Sequence, residues 1–132
     1  MGTLRDQTLQ QASPALDAAA TAAAFANALH SGQPHDAAAF FAPQGRLLTA
    51  DGTEVGGHPA ISSVLSQLTM SEQRLRIRSG RTIVTGGVAL ATQFWTRSPR
   101  EPSTGGFESS TTAKLVLGHT ERWQILIASP WG

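Results

Sequence analysis

Residues 88–97 of the chain read VALATQFWTR, a run whose small and apolar side chains occupy both faces of a predicted strand. The alternating residues are Ala89, Ala91 and Trp95 on one face and Val88, Leu90 and Phe94 on the other. An antiparallel sheet with one face in water alternates more cleanly between apolar and polar residues. We therefore expect both faces of this sheet to be covered, one by helices and the other by a second copy of the chain.

Further strands are predicted on both sides of this run. After Ser71 the hydrophobic period changes to two, with Leu75 and Ile77 standing between arginines. Turns at glycines, and a loop rich in Pro, Ser and Gly over residues 98–106, separate the strands from one another. The predicted strands are one around Leu75 and Ile77, one over residues 88–97, and two over residues 107–117 and 122–129.

The first half of the sequence predicts three helices. Pro14 is typical of a first helical residue, and the alanine-rich segment after it ends at Gly32. Pro43 ends a short second helix predicted over residues 37–42. Pro59 begins a third helix, whose apolar face is predicted to comprise Ile61, Val64, Leu65 and Leu68.

Between the second and third helices, Asp51-Gly52 predicts a tight turn joining two short strands, 46–50 and 53–55. Helices followed by three or four long antiparallel strands indicate an α+β domain with its helices on one face of the sheet. For a chain of 132 residues we expect a single domain over residues 13–132, preceded by a flexible N-terminal arm over residues 1–12.

The composition narrows the possible functions. The absence of cysteine excludes disulfides, thiolate nucleophiles and zinc sites built on sulfur, and the four histidines lack metal-ligand spacing. We therefore predict no metal and no cofactor. The net charge of +1 offers no field for nucleic acid or a membrane, and no apolar run approaches the ~18 residues of a membrane span. We expect a soluble, cytoplasmic protein. Because only 14% of its residues are charged, we also expect it to pair with a copy of itself.

Arg74, Arg76 and Arg78 form a basic stripe of period two, followed by Arg81. Such a stripe could meet an acidic ligand or nucleic acid. The low net charge and the lack of aromatic residues between the arginines favour the alternative, a solvated face of a half-exposed strand.

Several short strings, taken in order, resemble the NTF2-like superfamily, in particular its SnoaL-like and ketosteroid-isomerase-like members. They are Phe25-Ala26 through Gly32, Phe40 to Pro43, Gly52 through Gly57 to Ile61, Val88 to Leu90, and Trp123 to Ile125 running on to Trp131. The resemblance covers residues 14–132 and rests on the order and spacing of the strings. It implies an NTF2-like (cystatin-like) cone, in which a curved antiparallel sheet wraps three N-terminal helices around an apolar pocket. It also implies a homodimer through the outer face of the sheet.

The same resemblance argues against the best-known reaction of this fold. Ketosteroid isomerases use an aspartate base, and they stabilise the enolate with a tyrosine and a protonated aspartic acid. Matching the strings places Phe25, Thr49 and Ala113 at these positions, and none of them carries the required group. The final strand offers no ionisable residue for cyclase chemistry. No pair of carboxylates can be placed around an arginine, as epoxide hydrolases of this fold require.

His58 is the candidate catalytic residue. It stands at the predicted start of the third helix, a rim position in the implied fold, where an imidazole could act as a base or orient a ligand. The alternative is a surface histidine in a helix-entry turn. His30, His35 and His119 are expected in solvated loops and turns.

Gln93, Trp95 and Arg97 project to one side of the long strand. Together with Trp123 on a neighbouring strand, they could line a pocket for a planar or carboxylated ligand. The alternative is that Trp95 fills the core or an interface while Arg97 faces water. Trp131 could close the pocket mouth or pack on a partner. The predicted ligand-binding residues are Phe25, Thr49, Gln93, Trp95, Arg97 and Trp123.

Two functions therefore remain open. The first is a protein that binds a small hydrophobic metabolite in an apolar pocket, as an isomerase, cyclase or hydrolase without the ketosteroid isomerase residues. The second is a non-catalytic module for dimerisation or for carrying a ligand. The two differ in whether any ionisable side chain points into the cavity.

Overall fold

The computed structural model describes residues 14–71, 73–99 and 108–132. The predicted arm over residues 1–12 and most of the predicted loop over residues 98–106 lie outside them. The helices are α1 (Pro14–His30), α2 (Pro34–Ala38) and α3 (His58–Thr69). The strands are β1 (Phe41–Leu48), β2 (Glu54–Gly56), β3 (Gln73–Thr85), β4 (Val88–Pro99), β5 (Ser109–His119) and β6 (Trp123–Ser129).

The strands form one curved, unclosed sheet in the order β2-β1-β6-β5-β4-β3. Neighbouring strands pair antiparallel except β1 and β6, which pair in parallel. Register shifts interrupt the β1–β6, β3–β4 and β5–β6 pairings. Irregularities of this kind bend strands, which lets the sheet curve around the helices. The predicted α+β class, with three helices against a curved sheet, is confirmed.

Helix α1 packs its alanine-rich face against the sheet. It begins at Pro14, and Gly32, with a φ of 66°, follows its end as the sequence predicts. Because alanine is small, the helix can lie close to the strands. The Phe25 ring centre is 5.8 Å from that of Phe41 and 6.5 Å from that of Trp95, so three aromatic rings fill the middle of the core. Within the described residues, no helix combines the length and apolar character needed to span a membrane.

The two faces of β4 differ sharply in burial. The odd-numbered residues from Ala89 to Arg97 face the helices, and none is more than 8% exposed. The opposite, convex face of the sheet carries large apolar side chains on β3, β4 and β6 that are 39–53% exposed, namely Ile83, Val88, Leu90, Phe94 and Ile127. We call these five residues the convex patch. The part of the chain that the structure describes covers one face of the sheet and leaves this patch open.

The predicted second helix is wrong in position. Helix α2 begins at Pro34, because proline is well suited to the first helical turn, and it ends at Ala38. Phe41 and Ala42, predicted to lie in or beside that helix, instead begin β1 and are 0% and 2% exposed. Burial of the phenyl ring in the core, together with pairing to β6, outweighs the local helical pattern.

The turn between β1 and β2 is wider than the predicted two-residue turn. Its loop spans residues 49–53, and the Thr49 N–H donates to the Thr53 carbonyl at 2.9 Å. The Asp51 carboxylate accepts hydrogen bonds from the Thr49 hydroxyl and, at 3.1 Å, from the Thr53 N–H. These bonds, the one from Thr49 foremost, lower the pKa of Asp51 to about 2. The side chains at the turn therefore fix a longer loop than the Asp-Gly pair alone predicts.

Candidate functional site

A cleft of about 400 Å³ opens at the end of the sheet where β4 finishes and the C-terminal residues return. The β1–β2 turn, the second half of α3 and the start of β3 complete its walls. Its volume falls within the range of roughly 300–1,000 Å³ that is usual for small-molecule sites. The lining side chains that matter most are Thr49, Val64, Leu68, Leu75, Arg97 and Trp131.

Arg97 is the charged side chain of the cleft, and it is only 8% exposed. Its guanidinium carbon lies 5.6 Å from the Trp95 ring centre and 5.1 Å from that of Trp131. Nη1 donates to the Thr111 hydroxyl at 3.3 Å, and that hydroxyl donates to the Pro130 carbonyl at 2.8 Å. Nη2 is buried and has no hydrogen-bond partner in the described part of the chain. Burial lowers the pKa of Arg97, although a guanidinium starts so high that it stays protonated.

Gln93 and Trp95 form the support beneath this arginine. The Gln93 Nε2 donates to the Ala22 carbonyl of α1 at 3.0 Å, and its Oε1 accepts from the Trp95 Nε1–H at 3.1 Å. Both ends of the amide are therefore satisfied inside the core, and neither side chain lines the cleft. Phe25 and Ala113, which the sequence placed at ketosteroid isomerase positions, are also fully buried and lie outside the cleft lining.

Thr49 and His58 lie in different places: Thr49 lines the cleft and His58 does not. Thr49 borders the cleft from the β1–β2 turn. His58 is the first residue of α3, where Gly57 adopts a φ of 88°, and its Nε2 donates to the Phe41 carbonyl at 2.8 Å. That bond assigns the ring proton to Nε2. The exposed imidazole does not line the cleft, and its role as a base stays a prediction.

Trp123 lies far along the sheet from Trp95 and Arg97. It pairs with His119, and the two rings are 5.1 Å apart. Trp95 pairs with Thr111, at the opposite end of the same strand. The eight residue steps from Thr111 to His119 correspond to about 26 Å of strand. The structure therefore brings Arg97 and Thr49 to the cleft, supports Arg97 with Gln93 and Trp95, and leaves Trp123 outside.

The arginine stripe lies on the face of β3 opposite to Leu75, which lines the cleft. Arg74, Arg76 and Arg78 are exposed and border two clefts of about 490 Å³ each beside His30. The His30 Nε2 accepts a hydrogen bond from the Ile77 N–H at 2.9 Å, which satisfies a backbone donor on this edge strand. These clefts contain no buried cation, which agrees with the predicted solvated strand face.

Thr111 is the functional residue that the sequence does not reveal. It accepts from Arg97 and is tied to the Pro130 carbonyl, so it holds the guanidinium in place. Its position opposite Trp95 depends on the register between β4 and β5. A threonine in a run of serines and threonines carries no signal of that register.

Comparison with solved structures shows an NTF2-like fold. An NTF2-like protein with a cystatin-like fold from Novosphingobium aromaticivorans aligns with a TM-score of 0.72 at 14% identity, over 96% of this chain and 86% of that one. A protein with a ketosteroid isomerase-like fold from Catenulispora acidiphila, in complex with trimethylamine, aligns with a TM-score of 0.66 at 14% identity, over 83% and 82%. A domain of unknown function with a cystatin-like fold from Nostoc punctiforme aligns with a TM-score of 0.67 at 20% identity, over 83% and 71%.

The predicted resemblance to this fold is therefore confirmed. No family model matches the chain, and no curated protein does. At these identities the likeness is one of fold, and one fold hosts many unrelated functions.

Proposed function

We propose that this chain binds a small, mainly apolar molecule in the cleft beside Arg97. The observation that carries the proposal is a cavity of about 400 Å³ with mainly apolar walls beside the hydrophobic core. Val64, Leu68 and Leu75 offer aliphatic surface, and Trp131 offers an aromatic one. Burial of a ligand's apolar surface against such walls supplies most of the affinity of a site of this kind.

Binding suits the residues of the cleft better than acid–base catalysis does. Among the described residues that line it, Arg97 is the one ionisable side chain. A guanidinium keeps its proton across the ordinary pH range, so it can attract or orient a ligand but cannot act as a base there. The function as a carrier or sensor module is thus favoured over that of an isomerase. Catalysis by His58, which lies outside the cleft lining, is the alternative.

The charge of Arg97 restricts the ligand. The Catenulispora acidiphila neighbour was solved with trimethylamine, which is a cation when protonated. In the present cleft a cationic ligand would approach a buried guanidinium and be repelled, since charges interact strongly away from water. A neutral or anionic ligand is therefore favoured.

We further propose that two copies of the chain pair through the convex patch. Five large apolar side chains on one sheet face are unusual for a monomer in water, where such patches are generally small. Pairing would bury them, and a two-fold axis would place the patch of one copy on the same patch of the other. This agrees with the sequence expectation that both faces of the sheet are covered.

The binding proposal can be tested by isothermal titration calorimetry of the full chain with two probes, 4-phenylbutyrate and 4-phenylbutanamide. Ala50 lines the cleft and is exposed, so Ala50→Trp would fill the cavity without disturbing the core. We expect at least one probe to bind the wild type, and Ala50→Trp to weaken that binding by about tenfold or more.

Ala39→Trp is the matched control, because Ala39 is another exposed turn residue that lies outside the cleft lining. It should bind like the wild type. The proposal fails if neither probe binds, or if the Ala50→Trp protein binds as tightly as the Ala39→Trp protein.

A further inference from the structure

Arg97 and Gln93 are the buried polar or charged residues among those the structure describes, and they differ in how well they are satisfied. Both ends of the Gln93 amide have partners within the protein. Arg97 has one hydrogen bond, to Thr111 at 3.3 Å, and its buried Nη2 has none in the described residues. A buried guanidinium ordinarily has a carboxylate opposite it, because a charge taken out of water needs compensation.

The geometry around Arg97 restricts what could supply that compensation. Indole ring centres lie 5.6 Å and 5.1 Å from the guanidinium carbon, so aromatic surface occupies its neighbourhood, while the N–H groups of Nη2 have no partner among the described residues. Those edge groups form the fork that matches the two oxygens of a carboxylate. Thr111 takes one N–H and fixes the orientation of the fork. Arg97 lines the cleft, so an anion bound there would lie beside the guanidinium; contact with the buried Nη2 would need a shift of the side chain.

We propose that the ligand of this cleft is an amphipathic monocarboxylate, whose carboxylate pairs with Arg97 and whose apolar body lies along Val64, Leu68 and Leu75. This inference rests on the proposed binding function and names its ligand class. Arg97 is the one cationic side chain lining the cleft, so a ligand with one negative charge would balance it. The aliphatic and aromatic walls favour a ligand with a compact hydrophobic body. Trp131, whose ring already lies over the guanidinium, would cover the ion pair from solvent.

The test compares 4-phenylbutyrate with 4-phenylbutanamide, which share a body and differ in charge, by calorimetry on the full chain. We expect the acid to bind the wild type about tenfold more tightly or better, as a charge-assisted hydrogen bond to a buried cation implies. Arg97→Met, which keeps the length of the side chain, should lose the preference for the acid and bind the two probes with similar affinity.

A second measurement needs no variant. Affinity of the wild type for the acid should fall as the pH drops through the titration of the free acid, about pH 4–5, while affinity for the amide stays constant. Equal binding of acid and amide by the wild type would overturn the carboxylate inference and leave the binding proposal standing. Failure of both probes to bind would overturn both proposals. Retention of the acid preference in the folded Arg97→Met protein would show that another group recognises the anion.

Discussion

The side-chain amide of Gln93 connects helix α1 to the middle of the sheet. Its amide donates to the Ala22 carbonyl at 3.0 Å and accepts from the Trp95 indole at 3.1 Å, at a site that is 1% exposed. Because Trp95 in turn lies against Arg97, this amide determines where the indole beneath the cleft sits. A buried polar group that is fully satisfied specifies one arrangement of its neighbours.

Gln93→Met should therefore lower the free energy of unfolding by about 1–3 kcal/mol, because it leaves the Trp95 N–H buried without an acceptor. The measurement is urea unfolding followed by circular dichroism. Gln44→Met is the control, because Gln44 is exposed and its side chain makes no hydrogen bond among the described residues; a change within about 0.5 kcal/mol is expected there. Equal stability of the two variants would contradict the supporting role of Gln93.

The sequence predicts which site residues share a strand face, but it does not predict which of them reach the cleft. The alternation along β4 correctly grouped Gln93, Trp95 and Arg97 on one face. It could not tell that the first two lie inside the core while Arg97 reaches the cleft, because that depends on where the helices end above the strand. The grouping with Trp123 failed because the register of β5 places that residue at the opposite end of the sheet.

Among the elements, β1 is the strand whose first half the sequence misread as helix. It pairs with β2 on one side and in parallel with β6 on the other, so it links the first half of the chain to its last strand. Pro43 in its first half suggested the end of a helix, yet a proline is tolerated where a strand is irregular. The β1–β6 register indeed shifts between Phe41 and Arg46.

Gly45 lies within that irregularity and permits a close approach of backbones. A Cβ at this position would meet the Ala42 and Ile125 carbonyl oxygens, each at 2.9 Å. Gly45→Ala should therefore force the two strands apart and lower the free energy of unfolding by about 1–3 kcal/mol, as measured by urea unfolding.

Gly87→Ala is the matched control, because the nearest atom to a Cβ there, the His119 carbonyl oxygen, is 3.4 Å away. It should change stability by no more than about 0.5 kcal/mol. If Gly45→Ala were tolerated equally well, the close pairing of β1 with β6 would be in error.

At the scale of the whole molecule, the convex patch makes pairing the expected state. Leu90 lies near its middle on β4 and is 40% exposed. We expect sedimentation velocity at tens of micromolar to show a dimer for the wild type and a monomer for Leu90→Arg, because the substitution would bury two like charges at a two-fold interface.

Leu16→Arg serves as the control for this experiment, since Leu16 is 71% exposed on helix α1, away from the sheet. It should leave the dimer intact. A wild type that sediments as a monomer, or a Leu90→Arg protein that remains a dimer, would contradict pairing through the patch.

Binding in the cleft beside Arg97 can be tested within one sample through two of the chain's tryptophans, Trp131 and Trp123. Trp131 lines the cleft, whereas Trp123 pairs with His119 at the far end of β5. The measurement is a ¹⁵N-resolved NMR titration of the full chain with 4-phenylbutyrate, following the indole N–H signals. We predict that the Trp131 signal shifts in a saturable way and that the Trp123 signal stays in place. A saturable shift of Trp123 with Trp131 unmoved, or no shift of either, would contradict the account.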